Sequence, residues 1–179
     1  GCFGDAGFIT SDDGEWMARA RTLAQGGQQE RNYAVSAGHN SRGDELQAAI
    51  LNCKLAHLDE WNDRRRKLAG LYRQCLSLHG LRFQNIPDGS ESVFHLFVVR
   101  HPQRNALRAY LRERGIETLI HYPEAVHLQP AFCQTGQGAL PEAERAAAEV
   151  LSLPLHPCLS ESQAEVVADA VNEFAAVRA

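Results

Sequence analysis

The hydrophobic positions of this chain form one long helical stripe with shorter patterns on either side. Leu46, Ile50, Cys53, His57 and Trp61 recur at three- and four-residue steps, and Leu51, Leu55 and Leu58 widen the stripe into a broad face to be buried. It continues through Leu68, Leu71, Tyr72, Cys75 and Leu78 to Gly80, where a helix would stop. Ser41 followed by Asp44 marks the start, as a capping box with Asp in place of the usual Glu or Gln. A helix of this length in a globular chain predicts a bend, placed at Ala69–Gly70 or in the charged run Asp63–Lys67.

Upstream, Gly1 to Ser11 reads as a turn leading into a short strand, Phe8-Ile9-Thr10. Asp12 or Asp13 then caps a helix from Glu15 to Ala24, with Trp16, Ala20 and Leu23 on one face and Trp16 partly exposed. Gln25 to Ala37 is polar and without period, a loop or weak hairpin. Downstream, Leu81–Ile86 predicts a strand, Pro87–Ser90 a turn, and Ser92–Arg100 a nearly continuous apolar strand. Gln103 to Arg114 predicts a helix stopped by Gly115, and Ile116–Ile120 the next strand. Leu128–Cys133 reads as a helical turn, Gln134–Ala139 as a glycine-rich loop, Glu142–Leu151 as a helix begun near Pro141, and Ser152–Pro157 as extended. Ser160-Glu161-Ser162-Gln163 is a full capping box for a last helix that would bury Val166, Val167, Ala170, Val171 and Phe174. Strand, helix and strand backed by the long helix make a two-layer α+β domain.

Composition narrows the classes. In 179 residues, 44% hydrophobic content suffices for a core, and a net charge of -4 lacks the basic excess of a nucleic-acid binder. The basic run Arg64–Lys67 sits beside Asp59, Glu60 and Asp63, so it reads as a solvated helix face. No apolar run approaches the roughly 20 residues that span a bilayer, and no membrane partner is expected. Cys2, Cys53, Cys75, Cys133 and Cys158 are odd in number and widely spaced, which reads as reduced thiols and a cytoplasmic protein.

Two places carry candidate chemistry. Unpaired N–H groups in a first helical turn favour an anion, and Asn40 and Arg42 add an amide and a guanidinium there. That is a candidate phosphate or carboxylate site; the alternative is that Asn40 and Ser41 only cap the helix while Arg42 is solvated. At the end of the expected 116–120 strand, the His121 imidazole could pair with a diphosphate or relay a proton, or simply bond to backbone. His121 and His127 have only Glu124 between them and no further clustered partner, so no metal site is expected.

The run Gly38-His39-Asn40-Ser41-Arg42-Gly43-Asp44-Glu45-Leu46-Gln47-Ala48-Ala49 resembles the signature of the DegT/StrS family of pyridoxal-phosphate-dependent sugar-nucleotide aminotransferases. Gly4-Asp5-Ala6-Gly7, Lys54 to Arg66, and Arg114-Gly115-Ile116-Glu117-Thr118 with His121-Tyr122-Pro123 follow in register, and the resemblance covers essentially the whole chain. It implies the α+β small (C-terminal) domain of a fold-type I pyridoxal-phosphate-dependent transferase, with a remnant strand and helix of the α/β large domain at the N-terminus. Residues 1–37 would be that remnant, and 38–179 the long connecting helix plus the small domain. Asn40 and Arg42 would reach the cofactor phosphate of a partner subunit across a homodimer, and His121 and Tyr122 would lie near a nucleotide-sugar substrate. The chain departs from the family at Ala24-Gln25-Gly26-Gly27 and at Ala34, where relatives carry more polar residues.

In the family the lysine that holds the cofactor lies in a Pro-x-Lys-Asn-Leu-Gly segment, and Gly1 matches its last glycine. The only lysines here, Lys54 and Lys67, stand in other contexts. The resemblance therefore implies the C-terminal part of an enzyme that aminates a nucleoside-diphosphate-linked keto sugar, with glutamate as amino donor. This stretch alone is expected to be inactive and not to hold pyridoxal phosphate. The alternative is a non-catalytic, truncated or standalone domain with a binding or structural role.

Overall fold

A computed structural model describes residues 2–132 and 138–176, the side chains of 175 and 176 excepted. The chain divides into two compact units, Gly1–Leu58 and Asp59–Ala179.

The expected single long helix is two helices, α2 (Glu45–Leu55) and α3 (Leu58–Cys75). The chain turns at Ala56–His57, where the His57 N–H donates to the Lys54 carbonyl at 3.1 Å in a tightened last turn. Ala69–Gly70 and the run Asp63–Lys67, the expected bend sites, lie inside unbroken α3. Periodicity missed the break because a tight turn of two residues keeps a three- to four-residue spacing while the two helices serve different units.

The first unit holds α1 (Gly14–Ala24), a two-stranded ribbon of β1 (Gln28–Glu30) and β2 (Tyr33–Ala34), and α2. Asp13 caps α1, its Oδ1 accepting from the N–H groups of Glu15 at 2.9 Å and Trp16 at 3.1 Å. The expected strand at Phe8–Thr10 is absent, since no described strand pairs with it, and Phe8 is 88% exposed. Trp16, at 67% exposed, stands out of the helix as the sequence predicts.

The second unit contains the buried hydrophobic core. Its antiparallel sheet runs β3 (Arg82–Phe83), β4 (Phe97–Arg100), β5 (Val150–Leu153), with Phe97 opposite Leu153 and Arg100 opposite Val150. Leu68, Ala69 and Tyr72 of α3, Leu107 and Leu111 of α4 (Arg104–Glu113), and Ala164, Val167, Ala168, Val171 and Phe174 of α6 (Glu161–Ala176) pack into one cluster with Phe97, Val99, Leu151 and Leu153. Tyr72 lies 4.9 Å from Phe97, centroid to centroid, and its hydroxyl donates to the Pro154 carbonyl at 2.8 Å. Burial therefore pushes the Tyr72 hydroxyl far above the usual phenol range.

Several expected elements are shorter than their patterns. Strand β4 starts at Phe97 rather than Ser92, because Phe94 takes a left-handed φ of 47° and the Phe94 and His95 carbonyls accept from Arg65 Nη1 at 3.4 and 3.0 Å. The same nitrogen donates to the Leu155 carbonyl at 3.1 Å. The basic run is accordingly not a bare solvated face: Arg64 and Lys67 share Glu161 at 2.8 and 2.9 Å, Arg66 pairs with Asp63, and Arg65 clamps backbone. Leu81–Ile86 reduces to β3, and Ile116–Ile120 to a single bridge, Leu119 to Ser152. Helix α5 (Pro141–Glu149) ends before Val150, and Val150–Leu153 forms β5, a strand the sequence pattern merged into helix and extended segment. Val166 is 61% exposed, not part of the buried stripe of α6. The turn expected at 128–133 begins earlier, as a 3-10 turn over Val126–Leu128, and the glycine-rich loop at 134–139 lies mostly outside the described residues, as does Cys133.

Candidate functional site

The four residues singled out by the sequence fall into two pairs, one in each unit. Asn40 and Arg42 come together in the first. A pair of glycines turns the chain after α1: Gly26 and Gly27 sit at φ 72° and 76°, where a side chain would be strained. Residues 35–41 then run back along 23–27, with hydrogen bonds from Val35 N to Gly27 O, Gly26 N to His39 O, His39 N to Leu23 O, and Ser41 N to Ala24 O, all at 2.8–2.9 Å. The contact is close because both strands of this crossing use glycine. A Cβ on Gly38 would lie 2.1 Å from the Gly27 nitrogen, and one on Gly27 would lie 1.8 Å from the Ser36 oxygen.

This crossing sets Asn40 in a bridge with Gln25 and brings Arg42 Nε to 3.0 Å from Asn40 Oδ1. Together they line a cavity of about 550 Å³ with Gln25, Gln28, Glu30 and Arg31. Arg42 uses the side-chain Oδ1 of Asn40, which leaves this pair the Asn40 amide nitrogen and the Arg42 Nη groups as donors toward the cavity. An amide and a guanidinium fork of this kind suit a phosphate.

The helix-end part of the sequence reading is corrected. Asp44, not Ser41, is the N-cap of α2, at φ -73° and ψ 143°, and its side chain makes no capping bond. Arg42 precedes the helix rather than sitting in its first turn, and an acidic residue stands at the helix start. The bridge to Gln25 keeps the chain extended past Asn40, which delays the helix. Any anion held here is held by side chains rather than by first-turn N–H groups.

His121 and Tyr122 come together in the second unit. Leu119 pairs with Ser152 of β5, its N–H donating to the Ser152 carbonyl at 3.2 Å and its carbonyl accepting from the Ser152 N–H at 2.8 Å. Two residues on, His121 Nδ1 lies 2.8 Å from Ser152 Oγ, and the half-buried His121 ring meets Tyr122 edge-on at 5.6 Å. The peptide joining them is cis, and Tyr122 is 72% exposed. The backbone-bonded alternative for His121 is thus replaced by a side-chain bond. Just upstream, Thr118 is buried with an Oγ1 that has no partner among the described residues.

His127 Nε2 is 3.0 Å from Glu144 Oε1, which also accepts from Leu140 N at 2.9 Å. The His127 bond, and then the Leu140 bond, hold the Glu144 carboxyl below the usual range. His121 and His127 thus serve separate partners, and among the described residues no three His, Cys, Asp or Glu side chains group as metal ligands.

The model of the DegT/DnrJ/EryC1/StrS aminotransferase family matches residues 2–172. This chain belongs to that family. It is 46% identical to a dTDP-3-amino-3,4,6-trideoxy-alpha-D-glucose transaminase of Streptomyces venezuelae over 98% of this chain and 47% of that protein. It is also 42% identical to a pleiotropic regulatory protein of Geobacillus stearothermophilus, over 97% of this chain and 48% of that one. A crystal structure of S. venezuelae DesV superposes with a TM-score of 0.93 at 46% identity, covering 98% of this chain and 48% of that chain. A DegT/DnrJ/EryC1/StrS aminotransferase from Brucella abortus gives 0.90 at 32% identity, covering 97% and 47%. The chain spans about half the length of the relatives it matches.

Sequence reasoning missed Gln25, Gln28 and Arg31 as cavity residues and Ser152 as the partner of His121. The Gly26-Gly27 and Gly38 positions were the available signal for the first group. Ser152 gave none, because its role depends on a pairing 31 residues away in sequence.

Proposed function

We propose that this chain is part of a pyridoxal-phosphate-dependent aminotransferase that passes an amino group, with glutamate as donor, to a nucleoside-diphosphate-linked keto sugar. The observation that carries the reading is the Asn40–Arg42 pair, which leaves an amide and a guanidinium facing one cavity. Family membership and the likeness to a dTDP-sugar transaminase support it. Pyridoxal phosphate, when bound, supplies the electron sink that amino-group exchange requires.

In this reading Asn40 and Arg42 hold the cofactor phosphate of a second subunit in a homodimer. Their bond to each other fixes the guanidinium plane, so less side-chain freedom is lost when an anion arrives. His121 and Tyr122 face the nucleotide sugar. The lysines of this sequence are Lys54, on α2, and Lys67, held by Glu161, and this reading assigns the lysine-dependent step to neither.

The test uses the protein translated from the continuous reading frame that includes this sequence. Arg42→Met should weaken retention of pyridoxal phosphate roughly tenfold or more, the value of one charge-assisted hydrogen bond. Mixing Arg42→Met subunits with subunits lacking the cofactor lysine should restore part of the activity, since one site of each mixed dimer is then intact. Unchanged cofactor retention in Arg42→Met would overturn the assignment.

A second reading, a non-catalytic binding role for the chain by itself, is favoured by the self-contained core of the second unit. It predicts no transaminase turnover and no borohydride-trapped pyridoxal adduct at a defined lysine of the 179-residue chain. A specific adduct at Lys54 or Lys67 would end that reading.

A further inference from the structure

We infer that Ser152 is a positioning residue that holds the neutral His121 imidazole with its Nε2–H outward, as a hydrogen-bond donor rather than a base. Ser152 is the fixed member of the pair. It stands inside β5, opposite Val98 of β4, and both of its backbone groups are bonded to Leu119. Alternation along the strand sends Leu151 and Leu153 to the core and Ser152 to the other face, where it is nevertheless only 4% exposed. Its hydroxyl has one partner among the described residues, His121 Nδ1 at 2.8 Å.

That single bond decides the tautomer. If Nδ1 carried the proton, Ser152 Oγ would accept it and its own O–H would be left buried without an acceptor, which is unfavourable. If Ser152 donates to Nδ1, the buried hydroxyl is satisfied, and the ring proton resides on Nε2. Nε2 makes no hydrogen bond to any described residue, and the Tyr122 ring stands edge-on to the imidazole. The ligand group that fits Nε2–H is an oxygen acceptor: a diphosphate or carbonyl oxygen. This rests on the reading of His121 as a substrate-facing residue only for the identity of that acceptor; the tautomer stands on the Ser152 geometry alone.

The test is a long-range proton–nitrogen correlation spectrum of the 179-residue chain at a pH where the imidazole is neutral, with His121→Gln used to assign the His121 signals. The wild-type chain should show a protonated Nε2 and an unprotonated Nδ1 in a single state. Ser152→Ala should give a mixture of tautomers at His121 with an unchanged circular dichroism spectrum, and Ser152→Thr, which keeps a hydroxyl, should restore the single state. A proton on Nδ1 in the wild type, or a Ser152→Ala spectrum identical to wild type, would overturn the inference. Should Ser152→Ala not fold, the wild-type spectrum and Ser152→Thr still decide it. No ligand enters this experiment, so its failure is separate from a failure of the cofactor-retention assay.

Discussion

The two units of this protein obey the same local rules and differ in what covers their apolar side chains. Asp13 caps α1 in the first unit as Ser160 caps α6 in the second, where Gln163 N donates to Ser160 Oγ at 3.1 Å and Ser160 N to Gln163 Oε1 at 2.9 Å. Both helices carry an apolar stripe. In the second unit α3, α4 and α6 bury their stripes in a common core with β4 and β5, whereas α1 and α2 of the first unit contain no buried residue. Capping therefore reports where a helix starts and not whether it is packed, since a cap satisfies backbone donors within one turn and burial needs a partner element.

The sharpest way to break that contrast is to remove apolar side chains from each unit. Leu68→Ala, at a fully buried position, should cost about 2–5 kcal/mol in urea unfolding of the second unit. Trp16→Ala, despite removing a larger side chain, should change stability by less than about 0.5 kcal/mol. A large effect of Trp16→Ala would show that its indole is covered in solution.

Gly38→Ala tests the close backbone crossing of the first unit. Backbone at 2.1 Å must move, so amide exchange at Gly26, His39 and Ser41 should rise by roughly tenfold or more, with the α3 amides unaffected. Equal exchange in mutant and wild type would mean the crossing is not held as described.

Removing the caps should have a smaller effect. Ser160→Ala should cost about 1 kcal/mol of second-unit stability, and Asp13→Ala should instead show as fraying of α1 amides. The smallest effect expected is that of pH. Lys67 and then Arg64 hold the Glu161 carboxyl below its usual range. A carboxyl whose folded value is depressed adds stability above its unfolded value and loses it as pH falls through the folded one. Thermal melts of wild type and Glu161→Gln should thus differ near neutrality and converge in the acid range below the ordinary carboxylate value. Parallel curves would show that the Arg64–Glu161–Lys67 cluster adds nothing measurable.

Much of this was legible in the chain itself. The caps at Asp13 and Ser160 and the stop at Gly115 (φ 74°) follow from spacing within one or two turns. Asn40 and Arg42 were found through a motif, and they meet. What the sequence misplaced was non-local. Ser92–Leu96 has the composition of a strand, but Arg65, from a helix 29 and 30 residues away, claims the carbonyls of Phe94 and His95. Val150–Leu153 has too few residues to show a period, and it becomes a strand through pairing with β4.

Sequence by itself determined the family, the α+β class of the second unit, the starts of α1 and α6 and the residues worth watching, because each rests on side-chain identity at short spacing. Tertiary structure alone decided that the long stripe is two helices in two units, that Asn40 and Arg42 stand ahead of a helix begun by Asp44, and that His121 leans on Ser152. Those outcomes depend on hydrogen bonds and burial between segments distant along the chain, and no local pattern of polar and apolar positions encodes which distant partner will be reached.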